Sequence, residues 1–222
     1  MKDLFGFFLS GVYIFFTLFF GQFLYQRRIV TPKGLRRSLH VLAGSWILPC
    51  VYLFDHWYWA VALPVVFVAV NLVARRRPPV AFENQERNGP VYFPISFVIL
   101  MSLFWDWPLR WVACGGILIM AWADAGASFV GERWGRHPFS LLGSRKSLEG
   151  SLAMLCISFL TCWVVFAGFA RFPLREVFLG GSAISLVATA TEALSGRGLD
   201  NLTVPLSSAL VSYFIFFGPT SL

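Results

Sequence analysis

Long apolar stretches separated by short polar turns run through almost the whole chain. A helix needs about 20 apolar residues to cross roughly 30 Å of hydrocarbon, and segment 4–25 reaches that length without an internal charge. The apolar windows between charged or Pro- and Gly-rich breaks predict transmembrane helices over residues 4–25, 40–54, 57–74, 91–105, 109–130, 150–170, 175–193 and 202–218. The predicted fold class is all-α: a polytopic membrane helical bundle of about eight short transmembrane helices, in a single integral membrane domain over residues 1–222.

Two of these segments leave alternatives open. A single bent segment or a re-entrant hairpin also fits the pair interrupted by Asp55 and His56, and losing one crossing would invert everything after it.

The first segment exceeds the roughly 7–15 apolar residues of a signal-peptide core, and no small-residue cleavage site follows it. We therefore count it as a span.

The distribution of Lys and Arg supports an even number of crossings, because cytoplasmic loops carry an excess of these residues. With eight crossings, only Lys2, Arg110, Arg171 and Arg175 of the 18 fall on one side. The other side receives Arg27, Arg28, Lys33, Arg36, Arg37, Arg75, Arg76, Arg77, Arg87, Arg133, Arg136, Arg145, Lys146 and Arg197. The pattern predicts a multi-pass protein with both termini outside and the basic loops in the cytoplasm, and the compact size favours a bacterial inner membrane.

Composition agrees with a membrane protein and argues against other classes. Residues are 57% hydrophobic and only 13% charged, far from the average of soluble domains. The net charge of +7 is explained by orientation in the bilayer, so no nucleic-acid partner is expected. The four cysteines lie in apolar segments without the close-paired spacing of metal sites or disulfide frameworks.

Two carboxylates within the spans need an explanation, because an ionisable group at mid-bilayer costs roughly 2.5–3.5 kcal/mol on insertion scales. Asp124 is surrounded by Ala and Gly, which let neighbouring helices approach, so its side chain is predicted to point into the bundle. At helical spacing Ser128 and Gly131 share its face. Glu192 is the second such residue. A structural Asp124 paired with a nearby arginine is the alternative.

The loop after Asp124 combines glycines with cations. It contains Gly131, Gly135, Arg145 and Lys146. Ser147 is predicted to cap the next helix, which would leave free backbone amides near a positive helix end, a suitable anion site. The alternative is a basic loop that only sets orientation.

Further polar residues are predicted at the same membrane face. Glu192, Asp200 and Asn201 offer the hard oxygen ligands that magnesium prefers, alongside substrate phosphates. Arg36 or Arg37 could pair with phosphate, and His40 could relay a proton near neutral pH. The competing interpretation of His40 is a hydrogen-bonded interface residue.

These motifs resemble those of the CTP-dependent membrane kinases of lipid alcohols, which include dolichol, phytol and farnesol kinases and the yeast-type diacylglycerol kinase, and which look related to the phosphatidate cytidylyltransferases. The resemblance rests on four pieces in order: Arg37-x-x-His40, Asp124 followed by Gly131 and Gly135, Lys146-Ser-x-Glu-Gly150, and Glu192 followed by Asp200-Asn201 with Pro205. They extend over residues 36–205.

The resemblance implies transfer of the terminal phosphoryl group of CTP to a lipid alcohol, with Mg²⁺ as cofactor. It implies magnesium ligation by Asp124 and Asp200, supported by Glu192 and Asn201. It places the nucleotide against Arg37, Gly131, Gly135, Arg145, Lys146, Ser147, Glu149 and Gly150. The catalytic set is then Asp124, Lys146, Asp200 and His40, with one carboxylate or His40 receiving the alcohol proton.

Two other functions compete with a kinase. A cytidylyltransferase would use the same metal and cations on a phosphorylated lipid, but Lys146-Ser-Leu-Glu-Gly150 and Asp200-Asn201 look closer to the alcohol-kinase pattern. A lipid transporter or scaffold has no need of a Gly-rich basic loop beside carboxylates. The expected partners are a membrane lipid alcohol and a nucleoside triphosphate. A homodimer is compatible with the sequence, and the short chain favours a bacterial or archaeal enzyme with the acceptor left open.

Overall fold

The computed structural model of the protein describes residues 1–75, 88–142, 144–196 and 198–218. The helices are α1 (Lys2–Gln26), α2 (Pro32–Ser45), α3 (Ile47–Leu53), α4 (Trp57–Ala74), α5 (Gly89–Leu103), α6 (Arg110–Leu118), α7 (Ala125–Trp134), α8 (Leu148–Cys162), α9 (Leu174–Leu194) and α10 (Asp200–Phe216). Two π-helical segments, Ile119–Asp124 and Trp163–Phe169, join α6 to α7 and extend α8. Arg76, Arg77, Arg87 and Arg197, named above for orientation, lie outside the described residues.

The predicted all-α polytopic bundle is confirmed, since each predicted apolar segment lies on a helix or a pair of helices. Five helices of the described chain are long and apolar enough to cross a membrane: Lys2–Gln26, Trp57–Ala74, Arg110–Trp134, Leu148–Phe169 and Leu174–Leu194. Segment 40–54 differs from the prediction. It is divided at Trp46 into α2 and α3, and α2 already begins at Pro32, because Thr31 Oγ1 accepts a hydrogen bond from Gly34 N at 3.1 Å.

The helix Arg110–Trp134 occupies the centre of the bundle. Its apolar window is 72% buried, whereas the windows of α1 and α4 are 17% and 11% buried. Close approach of neighbouring helices explains the small residues: a Cβ at Gly116 would lie 2.5 Å from the carbonyl oxygen of Pro205 in α10, as expected for membrane helix packing. The peripheral α1 and α4 present their large apolar side chains outward.

The two ends of the bundle separate the loops as the charge pattern predicts. At one end, which we call the Asp55 end, Lys2 Nζ lies 2.5 Å from Asp55 Oδ1 and Arg110 Nη1 donates to Phe54 O at 2.9 Å. At the other end, Arg37 Nη1 lies 2.7 Å from Glu132 Oε2. The described basic loops therefore converge at the end opposite Asp55.

A β-hairpin precedes α8 where the sequence predicted only a Gly-rich loop. Strands β1 (Pro138–Leu141) and β2 (Ser144–Ser147) pair antiparallel, with Phe139 opposite Lys146 and Pro138 opposite Ser147. Lys146 lies within β2, and Ser147 ends the strand and forms the N-cap of α8. The hairpin fixes the position of Lys146 more firmly than a loop would.

Candidate active site at the basic end of the bundle

A charged cleft of about 720 Å³ opens at the basic end. It is formed by α2, the helix Arg110–Trp134, the hairpin, the start of α8 and the turn between α9 and α10. Its charged lining consists of Lys33, Arg36, Arg37, Asp124, Glu132, Arg145, Lys146, Glu192 and Asp200. The volume is within the range of about 300–1,000 Å³ that small-molecule sites show.

Lys146 links the carboxylates of the cleft. Its Nζ contacts Glu192 Oε1 and lies 3.7 Å from Asp200 Oδ2. The Lys146 side chain is 19% exposed and that of Glu192 only 6%. Burial by itself lowers the pKa of Lys146, but the charge of Glu192, its hydrogen bond, and the charges of Asp200 and Asp124 together raise that pKa above the ordinary value of 10.5. Lys146 is therefore a firmly charged cation.

Asp124 enters the cleft from the bundle interior, as predicted. It ends the π-helical segment Ile119–Asp124, and such segments are frequent at functional sites. Asp124 interacts electrostatically with Asp200, Lys146, Glu192 and Arg36. Ser128 and Gly131 line the same cleft, so the predicted polar face of this helix is confirmed.

Asp200 and Asn201 are the first two residues of α10, but they line different cavities. Asp200 lines the charged cleft, whereas Asn201 lines a separate cavity, the apolar groove, whose walls include Leu39, Phe67 and Phe97. Asn201 Nδ2 donates to Gly198 O at 3.1 Å and to Asp200 Oδ1 at 3.0 Å. Gly198 has a φ of +82°, a left-handed conformation that favours glycine, and this turn sets the two neighbouring side chains. The predicted support of a metal by Asn201 stays a prediction.

Three glycines surround the Ser147 hydroxyl and allow α7 to pack against the start of α8. A Cβ added at Gly131, Gly135 or Gly150 would lie 3.0–3.1 Å from Ser147 Oγ. The predicted cap is confirmed, because Gly150 N donates to Ser147 Oγ at 3.1 Å. All four residues line the cleft. The glycines thus serve helix packing at the floor of the cleft.

The amides at the start of α8 differ from the sequence expectation. Leu148 N donates to His137 O at 3.1 Å, and Gly150 N is taken by Ser147. Glu149, predicted to bind nucleotide, accepts a hydrogen bond from His137 N at 3.3 Å, and its Oε1 lies 2.7 Å from His137 Nδ1. The amides of Leu148 and Gly150 are therefore engaged within the protein. The cleft also offers the side-chain cations Arg36, Arg145 and Lys146 to an anion.

Arg36 and Arg37 are distinguished only by the structure. Arg37 is paired with Glu132 at 2.7 Å, and Lys33 contacts the same carboxylate at 3.1 Å. Arg36 instead interacts with Asp124 and lines both the charged cleft and the apolar groove. Glu132, which sequence reasoning did not single out, thus orders the cationic rim. The sequence feature that could have identified Glu132 is its position one helical turn beyond Ser128, on the polar face of the same helix.

His40 lies at the boundary between the charged cleft and the apolar groove. It lines both, its ring stacks on Phe93 with centroids 4.0 Å apart, and its Nε2 lies 2.7 Å from Met120 Sδ. These contacts fix the ring at the boundary between charged and apolar surfaces. The predicted proton relay by His40 stays a prediction.

The donor atoms of the cleft suit a cation shared with a ligand. Within the described residues no group of three or more His, Cys, Asp or Glu side chains is placed to hold a metal by itself. Asp124, Glu192 and Asp200 supply hard oxygens to the cleft, and magnesium commonly uses one or two carboxylates with phosphate oxygens and water. The donor set therefore fits a magnesium ion that arrives with a phosphate.

Comparisons with known proteins give relatives by sequence. No protein-family model and no solved structure matches the chain. It is 32% identical over 209 residues to phytol kinase of Synechocystis sp., covering 92% of this chain and 89% of that protein. It is 30% identical over 144 residues to CTP-dependent diacylglycerol kinase 1 of Schizosaccharomyces pombe, covering 60% and 62%. Chloroplastic farnesol kinase of Arabidopsis thaliana is 24% identical over 237 residues, covering 97% and 76%.

Membrane-length helices, a cleft rich in cations and carboxylates, and relatives that share one type of activity define the class: the protein is a lipid kinase. The length and identity of the match to phytol kinase give the finer assignment. The chain belongs to the family of lipid-alcohol kinases that contains phytol kinase, farnesol kinase and a CTP-dependent diacylglycerol kinase.

Proposed function

We propose that the protein transfers the terminal phosphoryl group of CTP to an isoprenoid alcohol, with Mg²⁺, in a cleft that faces the cytoplasm. The observation that carries the proposal is Lys146, held between Glu192 and Asp200 in a cleft of about 720 Å³ that Asp124 also enters. CTP as donor is supported by a relative whose name includes CTP dependence. An isoprenoid acceptor is supported by relatives named for phytol and farnesol.

The cations of the cleft bind and orient the phosphates. Lys146, Arg145 and Arg36 line it, so these side chains can neutralise phosphate charge. Phosphoryl transfer depends mainly on positioning and on electrostatic stabilisation of the charge that the phosphate oxygens carry. Asp124 and Asp200, with Glu192 beside them, are the residues that would hold Mg²⁺, which neutralises phosphate charge when it is bound.

The reaction forms one P–O bond and breaks another. The alcohol oxygen attacks the terminal phosphorus, the bond from that phosphorus to the bridging oxygen breaks, and CDP leaves. The hydroxyl proton passes to a carboxylate of the cleft, for which Asp200 is suited because it adjoins the apolar groove through Asn201. A cytoplasmic cleft is supported by the excess of Lys and Arg at this end.

The test uses the full chain purified in detergent with Mg²⁺. Terminally labelled CTP or ATP is offered with phytol, farnesol, a polyprenol or diacylglycerol, and label in the lipid is measured. We expect label from CTP into an isoprenoid alcohol, abolished by Asp124→Asn and retained in Asp106→Asn, an exposed carboxylate outside the cleft. Label from α-labelled CTP into phosphatidate, without kinase activity, would instead establish a cytidylyltransferase. Absence of both products and of nucleotide binding would refute an enzymatic role.

A further inference from the structure

A second cavity, the apolar groove, lies between α1, α2, α4 and α5. Its volume is about 580 Å³. Its walls are mainly apolar, with Leu18 on α1, Leu39 on α2, Phe67 on α4 and Phe97 on α5. A pocket lined in this way binds ligands by removing apolar surface from water or lipid headgroups. No role for this groove follows from the charged cleft alone.

The groove runs from the Asp55 end to the charged cleft. Phe54 and Trp59 lie at its far end, and Asn201 and Gly89 lie at its near end. Arg36 and His40 line the groove and the cleft alike. An amphiphile with one polar end can therefore lie in the groove and present that end to the nucleotide site.

The groove is long enough for a hydrocarbon chain. The lining on α4 extends from Trp59 to Arg75, which at 1.5 Å per residue is about 24 Å. This length and the apolar lining suit a hydrocarbon chain that lies extended along α4.

Two of the helices around the groove face the bilayer. α1 and α4 are the least buried of the membrane-length helices, and their aromatic contact, Phe7 with Trp59 at 5.7 Å, lies near the Asp55 end. The groove therefore lies against the two membrane-length helices that face the bilayer most.

Asn201 supplies an unused acceptor at the near end of the groove. The side chain is 3% exposed, and its Oδ1 has no hydrogen-bond partner among the described residues. Its Nδ2 already donates to Gly198 O and Asp200 Oδ1. These two hydrogen bonds fix the orientation of the amide group and leave Oδ1 without a partner among the described residues. A buried acceptor without a partner costs about 1–3 kcal/mol, and an alcohol hydroxyl is a donor that would satisfy it.

We infer that this groove is the acceptor site and that its occupant is an isoprenoid alcohol whose tail runs along α4 toward Trp59. In the bound state its hydroxyl donates to Asn201 Oδ1, next to Asp200, which receives the proton during transfer. The inference rests on the proposed kinase function and adds to it the place of the acceptor and the path of its tail.

Binding is tested apart from catalysis. The purified chain is irradiated with a photoreactive diazirine analogue of phytol, without nucleotide, and cross-linked peptides are mapped by mass spectrometry. We expect cross-links on α4 and α5 that phytol suppresses and phosphatidylglycerol does not. Cross-links elsewhere, or equal suppression by phosphatidylglycerol, which would mark a structural lipid site, overturn the inference. Groove cross-links without phosphoryl transfer would leave the acceptor groove intact and refute the kinase.

Chain-length selectivity is tested with a matched pair on α4. Leu63 lines the groove, whereas Val66, on the same helix, is outside its lining and 52% exposed. Leu63→Trp should raise KM for phytol at least about tenfold, as expected for lost apolar contacts, and leave KM for the much shorter geraniol unchanged. Val66→Trp should change neither. An equal effect of Leu63→Trp on both alcohols contradicts a tail site along α4.

The hydroxyl contact predicts a different result. Asn201→Ala should raise KM for phytol and geraniol by the same factor, about tenfold for one lost hydrogen bond to a buried group, and by more than it raises KM for CTP, which it affects only through the hydrogen bond to Asp200. An equal loss for alcohol and nucleotide would indicate that Asn201 acts only by positioning Asp200, and unchanged kinetics would exclude the hydroxyl contact.

Discussion

Both ends of the bundle carry cations and carboxylates, but they use them differently. At the Asp55 end, Arg110 donates to the backbone carbonyls of Trp105, Val51, Phe54 and Asp55 at 2.5–3.3 Å. At the basic end, charged side chains face one another around a cleft of about 720 Å³. Arg110 uses its charge to hold the backbone of a turn, whereas the charged side chains around the cleft leave space for a ligand. The presence of cations and carboxylates is therefore not enough to identify a binding site in this protein.

The largest effect is expected when one cation is removed from the basic end, as in Lys146→Met. Removing a charge aimed at the phosphates should lower kcat about 100- to 1,000-fold. Initial rates with CTP and phytol, at matched protein amounts verified by size-exclusion chromatography, measure the effect. Lys146→Arg, which keeps the charge, is the control and should retain more activity than Lys146→Met. A loss below tenfold in Lys146→Met would remove Lys146 from the site.

The corresponding change at the Asp55 end is Arg110→Met. Several backbone carbonyls lose their donor, so we expect the free energy of unfolding to fall by about 2–4 kcal/mol. Thermal unfolding in detergent measures this, and activity per folded molecule at low temperature should be retained. If Arg110→Met abolished activity while the protein stayed folded, the two ends would not be functionally distinct.

A smaller effect is expected for Ser147→Ala. The helix cap of α8 is lost, which typically costs about 1 kcal/mol, and the hairpin that holds Lys146 is loosened. We expect a lowered Tm and a modest loss of rate, well below that of Lys146→Met. Ser182→Ala, an exposed hydroxyl within α9, is the matched control. Unchanged stability would show that Ser147 is not an effective cap.

The smallest effect concerns pH. The pKa of Lys146 is raised, so its contribution to stability is fully present below the ordinary lysine value of 10.5 and is lost only as the pH rises through the higher folded-state value. The difference in Tm between wild type and Lys146→Met should therefore be constant between pH 7 and pH 9. A decline across that interval would indicate that Lys146 loses its proton early and is not held by Glu192.

The sequence predicted the helices and many of the cleft residues because both leave local signals. Apolar length marks a span, and a carboxylate such as Asp124 within a span marks an unusual cost. The hairpin of Lys146 left no comparable signal, since its strands are four residues long. The hydrogen bond from Leu148 N to His137 O could not be predicted either. A helix-cap pattern shows which side chain caps the helix, but not which backbone carbonyl accepts from its first amide.

The class of fold, the membrane environment and the kinds of charged side chain at the basic end follow from the sequence alone, since composition and local spacing are enough to predict them. The tertiary structure was needed to show which charges face one another, that Arg37 is paired with Glu132 while Arg36 lines the cleft together with Asp124, and that Asp200 and Asn201 line different cavities. The reason is physical: a cleft or a groove is the space left between helices distant in sequence, and helix packing sets that space.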